Sequence, residues 1–257
     1  GVTGSVGKTT TKDMIAHTLS GELKVHKTAG NANSQIGLPQ TVLYAETSVD
    51  CAVVELGMSL KGEMERIASV AMPDISVITN VGYSHIENLG SREAIRDEKI
   101  KISSFSPNGS TLILNGDEPL LRNVAIKDKR VIYVSLNDTA CQCYAKNITK
   151  TESGTDFIAS VFGEEYNVSL NVIGTHYVLN SLFAMATAYM LGINLNIAAK
   201  RLSGYQSDSR RQHIYESNGH TVISDCYNAS PESMREALRL LAALPTAGRR
   251  YAVLGDM

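Results

Sequence analysis

The run Gly4-Ser5-Val6-Gly7-Lys8-Thr9 has the residue types and spacing of a loop that grips phosphate. Free backbone N–H groups at a glycine turn, followed by a helix N-terminus, point their positive ends at an anion. In such a loop Lys8 reaches the terminal phosphates of a nucleotide, and the Thr9 hydroxyl is a ligand for Mg²⁺, with Thr10 following. The full G-x-x-x-x-G-K-[ST] pattern is broken, because Val2 stands where its first glycine belongs. What is left, Gly4-x-x-Gly7-Lys8-Thr9, arises often by chance and is equally the turn that opens a helix. Its place before a helical stretch, with Thr10 and Thr11 next, favours nucleotide binding.

Three other residues suit the same chemistry. Glu55 ends the apolar run Cys51-Ala52-Val53-Val54. A carboxylate at the carboxyl end of a buried strand sits where open α/β sheets bind ligands. Beside a phosphate loop it holds Mg²⁺, directly or through water; the alternative is an exposed acid at a strand end. His85 follows the next apolar run after the turn Gly82-Tyr83-Ser84. A lone histidine is usually structural or solvent-facing, and this one gains weight only from Glu55 at the same sheet edge. Lys99, within Asp97-Glu98-Lys99-Ile100-Lys101, reads by itself as part of a solvated helix face. Cys141 and Cys143 form a C-x-C with no second pair, which is too little for zinc.

The elements that must position these groups alternate between strand and helix. Residues 9–19 carry Met14, Ile15 and Leu19 on one helical face. Strand-like runs follow at 24–28, 51–56, 75–81 and 111–114, separated by helical stretches at 40–45, 62–70 and 92–104. That alternation predicts an α/β fold with a mostly parallel sheet covered on both faces. Between 131 and 172 the runs 131–134, 155–162 and 166–172 read as a small antiparallel sheet, and helices follow at 177–191 and 196–202. After Arg211 a new unit begins: a strand at 221–224, an N-cap at Ser230 with Pro231 at the first helical position, and Met234, Leu238 and Leu241 on one helical face. A further strand at 251–254 completes one β-α-β unit.

The chain has 257 residues, 43% of them hydrophobic and 19% charged, which suits a globular protein with a sizeable core. A formal net charge of −2 leaves no electrostatic footprint for nucleic acid. No apolar run approaches the roughly 20 residues that span a bilayer, so membrane insertion is not expected. The scattered cysteines make no disulfide framework, and the expectation is a reduced, cytosolic protein. Both ends read as cut, since the sequence opens directly on the phosphate loop and stops just after a strand-like run.

Thr3-Gly4-Ser5-Val6-Gly7-Lys8-Thr9-Thr10-Thr11-Lys12 resembles the ATP loop of the Mur ligases, which build the bacterial cell-wall peptide. Gly30-Asn31-Ala32-Asn33-Ser34-Gln35-Ile36-Gly37-Leu38-Pro39 looks like the signature of those members that add D-alanyl-D-alanine to UDP-N-acetylmuramoyl-tripeptide. Further matches come in the family's order: Val54-Glu55-Leu56-Gly57-Met58, Thr79-Asn80-Val81-Gly82 with His85, Asn115-Gly116-Asp117-Glu118-Pro119, Gly174-x-His176 with Asn180, Asp225-Cys226-Tyr227-Asn228-Ala229, and Leu254-Gly255-Asp256-Met257.

The resemblance implies a P-loop ATP-binding central domain over residues 1–211 and the opening of a Rossmann-like C-terminal domain over 212–257, with a UDP-sugar domain upstream. It implies an ATP-dependent ligase that forms an amide bond through an acyl phosphate, acting on UDP-muramoyl-tripeptide and D-alanyl-D-alanine as a monomer in the bacterial cytoplasm. By the same resemblance Gly4, Ser5, Val6, Gly7, Lys8, Thr9 and Thr10 hold the nucleotide's phosphates. Thr9 and Glu55 hold one Mg²⁺, and His85 with a carbamylated Lys99 holds a second. Asn180 contacts adenine, Asp225 the ribose and Arg210 the γ-phosphate, while Asn31 and Asn33 face the substrate. Two departures stand out. Tyr177 replaces the usual asparagine, and Ser209 replaces the glycine before the arginine, which leaves Arg211 as the rival of Arg210.

Other readings keep the loop. A cyanophycin or folylpolyglutamate synthetase, or another Mur ligase, shares the acyl-phosphate chemistry. A P-loop switch or transport ATPase hydrolyses ATP alone. Residues 1–257 by themselves are expected to bind nucleotide weakly without turnover.

Overall fold

The computed structural model describes residues 1–151, 153–207 and 211–255. The chain runs β1 (Val2–Thr3), α1 (Lys8–Leu19), β2 (Val25–Lys27), α2 (Gly37–Leu43), β3 (Cys51–Val53), α3 (Glu63–Ala71), β4 (Ile75–Ile78), α4 (Ile86–Leu89), α5 (Arg92–Ile100), a 3₁₀ turn over Lys101–Ser103, and β5 (Thr111–Asn115). It continues with β6 (Arg130–Ser135), β7 (Cys143–Lys150), β8 (Thr155–Val161), β9 (Glu164–Leu170), α6 (Thr175–Met190), α7 (Leu195–Leu202), β10 (His213–Ser217), β11 (His220–Ser224) and α8 (Pro231–Ala243).

The main sheet has the order β1-β4-β5-β6-β7-β8-β9. Pairing is parallel from β1 through β7 and antiparallel from β7 to β9. On the other side of β1, its Val2 N–H donates to the Val54 carbonyl and its Val2 carbonyl accepts from the Leu56 N–H, both at 2.8 Å. That joins the β2–β3 pair to the same surface and puts β1, which feeds the phosphate loop, in the interior of the sheet. Alternate side chains then serve opposite faces. Val77 and Ile113 pack with α1, α6 and α7, while Ile78, Leu112 and Leu114 pack with α3 and α5. Burying each such side chain contributes about 2 kcal/mol, so both faces of the sheet are held by packed layers.

α5 shows how sequence sets the site. Ser91 caps it, its hydroxyl accepting from the Ala94 N–H at 3.1 Å. Ile95, Glu98, Lys99 and Ile102 are buried, a spacing of i, i+3, i+4 and i+7 that marks one helical face. Lys99 therefore points inward, and the solvated-face reading of its charge run fails at that residue.

Three expectations are corrected. Residues 131–134 belong to β6, which is parallel to both neighbours; the link from β5 is long enough to cross over but is built of turns, which leaves no helical signal. β7 is a strand the hydrophobic pattern does not announce, because its outer half is polar (Lys146, Asn147, Thr149 and Lys150). Residues 251–254 form no strand among the described residues; Val253 is 99% exposed and no neighbouring ladder takes up their backbone groups. The strand β11 instead closes a hairpin with β10. Ser230 and Pro231 open α8 as the sequence predicts, with a capping box between Ser230 and Ser233.

Candidate functional site

The loop between β1 and α1 requires its glycines. Gly4 has φ 154°, and a Cβ there would lie 1.9 Å from Thr79 Oγ1. Gly7 is the N-cap of α1 at φ 79°. The residues after β4 brace the loop from below. Asn80 Oδ1 accepts from the Ser5 and Val6 N–H groups, each at 3.0 Å, and its Nδ2 donates to the Val6 carbonyl at 3.1 Å. The Thr79 hydroxyl donates to the same carbonyl at 2.7 Å, and Ser5 Oγ accepts from the Gly82 N–H at 2.8 Å.

Lys8 turns back onto this loop, its Nζ donating to the Gly4 carbonyl at 2.8 Å and to that of Ser5 at 3.3 Å. Burial lowers its pKa; Glu55 opposes that shift and Arg211 reinforces it. Thr9 donates from Oγ1 to Glu55 Oε2 at 2.8 Å. The other Glu55 oxygen accepts from Asn33 Nδ2 at 2.7 Å, and the Glu55 N–H donates to Thr28 Oγ1 at 2.9 Å. The carboxylate, 2% exposed, is thus aimed between the phosphate loop and the Gly30–Pro39 stretch. Thr10 follows on the first turn of α1, half-buried.

On the opposite wall Arg211 donates from Nη2 to Thr9 Oγ1 at 3.0 Å, its guanidinium 4.1 Å above the Tyr227 ring. Arg211 is thus brought to the loop; Arg210, the expected γ-phosphate contact, lies outside the described residues. Asp225 lines the same cleft, its pKa raised by burial against the hydrogen bonds from Gln212. The cleft holds about 370 Å³, and its walls also include Asn33, Glu63, His85 and Ser230.

His85 caps α4 with a left-handed φ of 67°, a conformation that a non-glycine residue holds only where its surroundings impose it. Burial, then Lys99 and Lys8, lower its pKa, which favours the neutral ring with lone-pair capacity. Lys99 is 2% exposed, and its amine makes no hydrogen bond or ion pair among the described residues. Burial, with Lys8 as the next cause, drives its pKa well below the usual lysine value. Its neighbour Glu98 is committed elsewhere: Oε1 caps α3 through the Gly62 N–H at 2.6 Å and the Met64 N–H at 3.3 Å, and Oε2 takes Lys101 at 3.0 Å.

Two predicted residues stand apart. Asn31 is exposed on its loop, away from the cleft walls. Asn180 is 5% exposed behind the loop, accepting from Thr11 Oγ1 at 3.0 Å, with Oδ1 3.6 Å from where a Gly7 Cβ would be. In this structure it braces α1 directly beneath Gly7 of the loop.

No cage of three His, Cys, Asp or Glu side chains exists among the described residues. The donor set of Thr9, Glu55 and His85 nonetheless fits Mg²⁺, which commonly takes one or two protein ligands and completes its shell with phosphates and water. Sequence reasoning attached no role to Asn80, Glu98 or Tyr227; only the tertiary partners reveal them.

A glycine-rich loop on the inner strand of a parallel sheet, faced by a buried acid and an arginine, defines a phosphate-loop α/β protein. The profile described as Mur ligase middle domain matches residues 2–188, and that described as Mur ligase, glutamate ligase domain, matches 209–257. The chain belongs to the Mur ligase family. It is 42% identical over 259 aligned positions to the UDP-N-acetylmuramoyl-tripeptide--D-alanyl-D-alanine ligase of Bacillus subtilis, an alignment covering all of this chain and 55% of that protein. Crystal structure I of MurF from Acinetobacter baumannii superposes with a TM-score of 0.89 at 28% identity, over 95% of this chain and 54% of that one. The MurF ligase of Thermotoga maritima in complex with ADP gives 0.87 at 28%, over 95% and 57%. The chain spans about half the length of the relatives it matches.

Proposed function

We propose that the protein carrying this chain joins D-alanyl-D-alanine to UDP-N-acetylmuramoyl-tripeptide at the expense of ATP, through an acyl phosphate. One observation carries the reading: Glu55 is bonded at once to Thr9 of the phosphate loop and to Asn33 of the Gly30–Pro39 stretch. A phosphate-side group and an acceptor-side group thereby share one carboxylate, which suits transfer of phosphate onto a bound acid. The names of the similar ligases support the substrates. Residues 1–211 act in this reading as the ATP-binding domain and 212–257 as the start of the domain that closes over it.

A carboxylate does not condense with an amine at neutral pH, because its carbon is a poor electrophile. A carboxylate oxygen of the tripeptide attacks the γ-phosphorus of ATP; a new O–P bond forms as the bond to the ADP oxygen breaks. The dipeptide amine then adds to the acyl carbon and loses a proton, and the C–O bond to phosphate breaks from the tetrahedral intermediate. Lys8 leaves its loop carbonyls to neutralise the transferring group, and Arg211 approaches from the opposite wall. Gly4, Ser5, Val6 and Gly7 form the braced turn around the phosphates, with Thr10 on the first turn of α1 behind it, and Asp225 is available to a ribose hydroxyl. Thr9 and Glu55 would hold Mg²⁺, which would supply neutralisation of the phosphate charge.

His85 and Lys99 form the second holding pair. Burial favours the unprotonated form of the Lys99 amine, which is the nucleophile toward CO₂: the N–C bond forms, one amine proton leaves to solvent, and the product is a two-oxygen anion. ¹³C-bicarbonate added to the protein should give a carbamate resonance that Lys99→Ala lacks. The reading itself is tested by phosphate release from the full-length protein. Release is expected only with ATP, UDP-muramoyl-tripeptide and D-alanyl-D-alanine together. Release with ATP alone favours a hydrolase, and release with a single amino acid in place of the dipeptide favours another ligase of the family.

A further inference from the structure

The stretch Asn115-Gly116-Asp117-Glu118-Pro119 lies outside the cleft, yet it is fastened to both segments behind it. Asn115 Nδ2 donates to the Thr79 carbonyl at 3.0 Å, at the end of β4. Glu118 Oε1 pairs with Arg92 Nη2 at 2.8 Å, the carboxylate side chain being 11% exposed. Arg92 also donates to the Val81 carbonyl, from Nε at 3.1 Å and from Nη2 at 2.5 Å, and the Val81 N–H faces Glu118 Oε2 at 3.4 Å. The guanidinium lies 5.3 Å over the ring of Tyr83.

Arg92 is the first residue of α5, and Lys99 stands two turns further on the same rigid helix. Val81 opens the short turn that delivers His85 in its left-handed conformation. One guanidinium is therefore tied to the start of the Lys99 helix and to the base of the His85 loop, and Glu118 holds that guanidinium in place. Ordinary packing of α5 would not require these donors to converge on a loop carbonyl.

We infer that the Arg92–Glu118 pair is a positioning device that sets His85 against Lys99 for Mg²⁺. The inference rests on the metal-holding role proposed for those two residues. Glu118→Gln keeps the volume but makes one of the two acceptors an NH₂ donor, so the side chain can no longer accept from both Arg92 and the Val81 N–H. Arg92→Lys keeps the charge but cannot reach both acceptors at once.

The test is phosphate release by the full-length protein at saturating ATP and both substrates, as a function of Mg²⁺. Half-saturating Mg²⁺ is expected to rise about tenfold in each single variant, the loss expected of a charge-assisted hydrogen bond. The double variant should lose little more, because the two residues act as a unit. Affinity for ADP in EDTA should stay within about twofold of the unaltered protein. A fall in kcat or melting temperature with an unmoved Mg²⁺ midpoint would overturn the inference and leave the pair as scaffold. Unaltered protein whose phosphate release ignores Mg²⁺ would overturn the metal-holding role as well, which separates the two failures.

Discussion

Glu55→Gln separates metal holding from nucleotide holding. The carboxylate accepts one hydrogen bond on each oxygen, from Thr9 at 2.8 Å and from Asn33 at 2.7 Å. In glutamine the remaining oxygen still accepts from the Thr9 hydroxyl. The new NH₂ faces Asn33, whose amide flips to offer its oxygen. Both bonds re-form as neutral ones, each weaker by about 1 kcal/mol, while the cost of burying a charge disappears. Net stability should therefore change by no more than about 1 kcal/mol. Metal binding has no such repair, because an amide oxygen carries no net charge. Loss of a holding group should weaken Mg²⁺ by roughly 10- to 100-fold, or about 1.4–2.7 kcal/mol. Calorimetric titration of ADP into the protein, with Mg²⁺ and then with EDTA, reads both quantities. The expected result is an unchanged affinity in EDTA and a much smaller gain on adding Mg²⁺. An Mg²⁺-dependent gain equal to that of the unaltered protein would refute the assignment of Glu55, and an equal loss in EDTA would show that the substitution had damaged the loop itself.

Gly4→Ala should destabilise the fold by about 2 kcal/mol and abolish tight nucleotide binding, since its Cβ would meet Thr79 Oγ1 at 1.9 Å. Adding Thr79→Ala should restore part of the stability, measured by urea unfolding. Arg211→Ala, which removes the contact to Thr9, should weaken ATP more than ADP in the same calorimetric titration; equal losses would deny it a place near the γ-phosphate. His176 has its pKa lowered by burial to about 4, with Glu236 opposing. A histidine depressed in the folded state contributes stability that is full above the unfolded value near 6.5 and is lost as pH falls toward 4, here roughly 2 kcal/mol after allowance for its partly exposed ring. Its imidazole resonance should titrate near pH 4 by NMR, and lower still in Glu236→Gln.

The residues whose roles follow from position along the chain were legible. Lys8 and Thr9 open α1, Glu55 follows β3 closely and His85 follows β4 across a turn, so their arrival at one sheet edge follows from the alternation of elements. Lys99 was hidden, because its charged neighbours describe a solvated face; its burial depends on the phase of α5, which Ile95 and Ile102 set. Strand direction was not legible at β6, since hydrophobic spacing is the same in parallel and antiparallel strands. The polar half of β7 and the hairpin strand β10 pair with the next strand along the chain, but their largely exposed side chains carry no hydrophobic alternation. Asn80, Glu98 and Arg92 illustrate the same limit: each has an ordinary side chain whose meaning lies in the backbone groups it meets 36 to 75 residues away or across a turn. The sequence also left Arg210 and Arg211 as rivals; the contact of Arg211 with Thr9 is visible only in three dimensions, and Arg210 lies outside the described residues.

The most direct test of acyl-phosphate ligation follows an oxygen atom. UDP-muramoyl-tripeptide labelled with ¹⁸O in its terminal carboxylate is incubated with the full-length protein, ATP and D-alanyl-D-alanine, and the released phosphate is analysed by mass spectrometry. Transfer of the carboxylate oxygen to phosphorus, followed by C–O cleavage under amine attack, predicts one ¹⁸O in each phosphate released. Unlabelled phosphate accompanying amide formation would contradict the account.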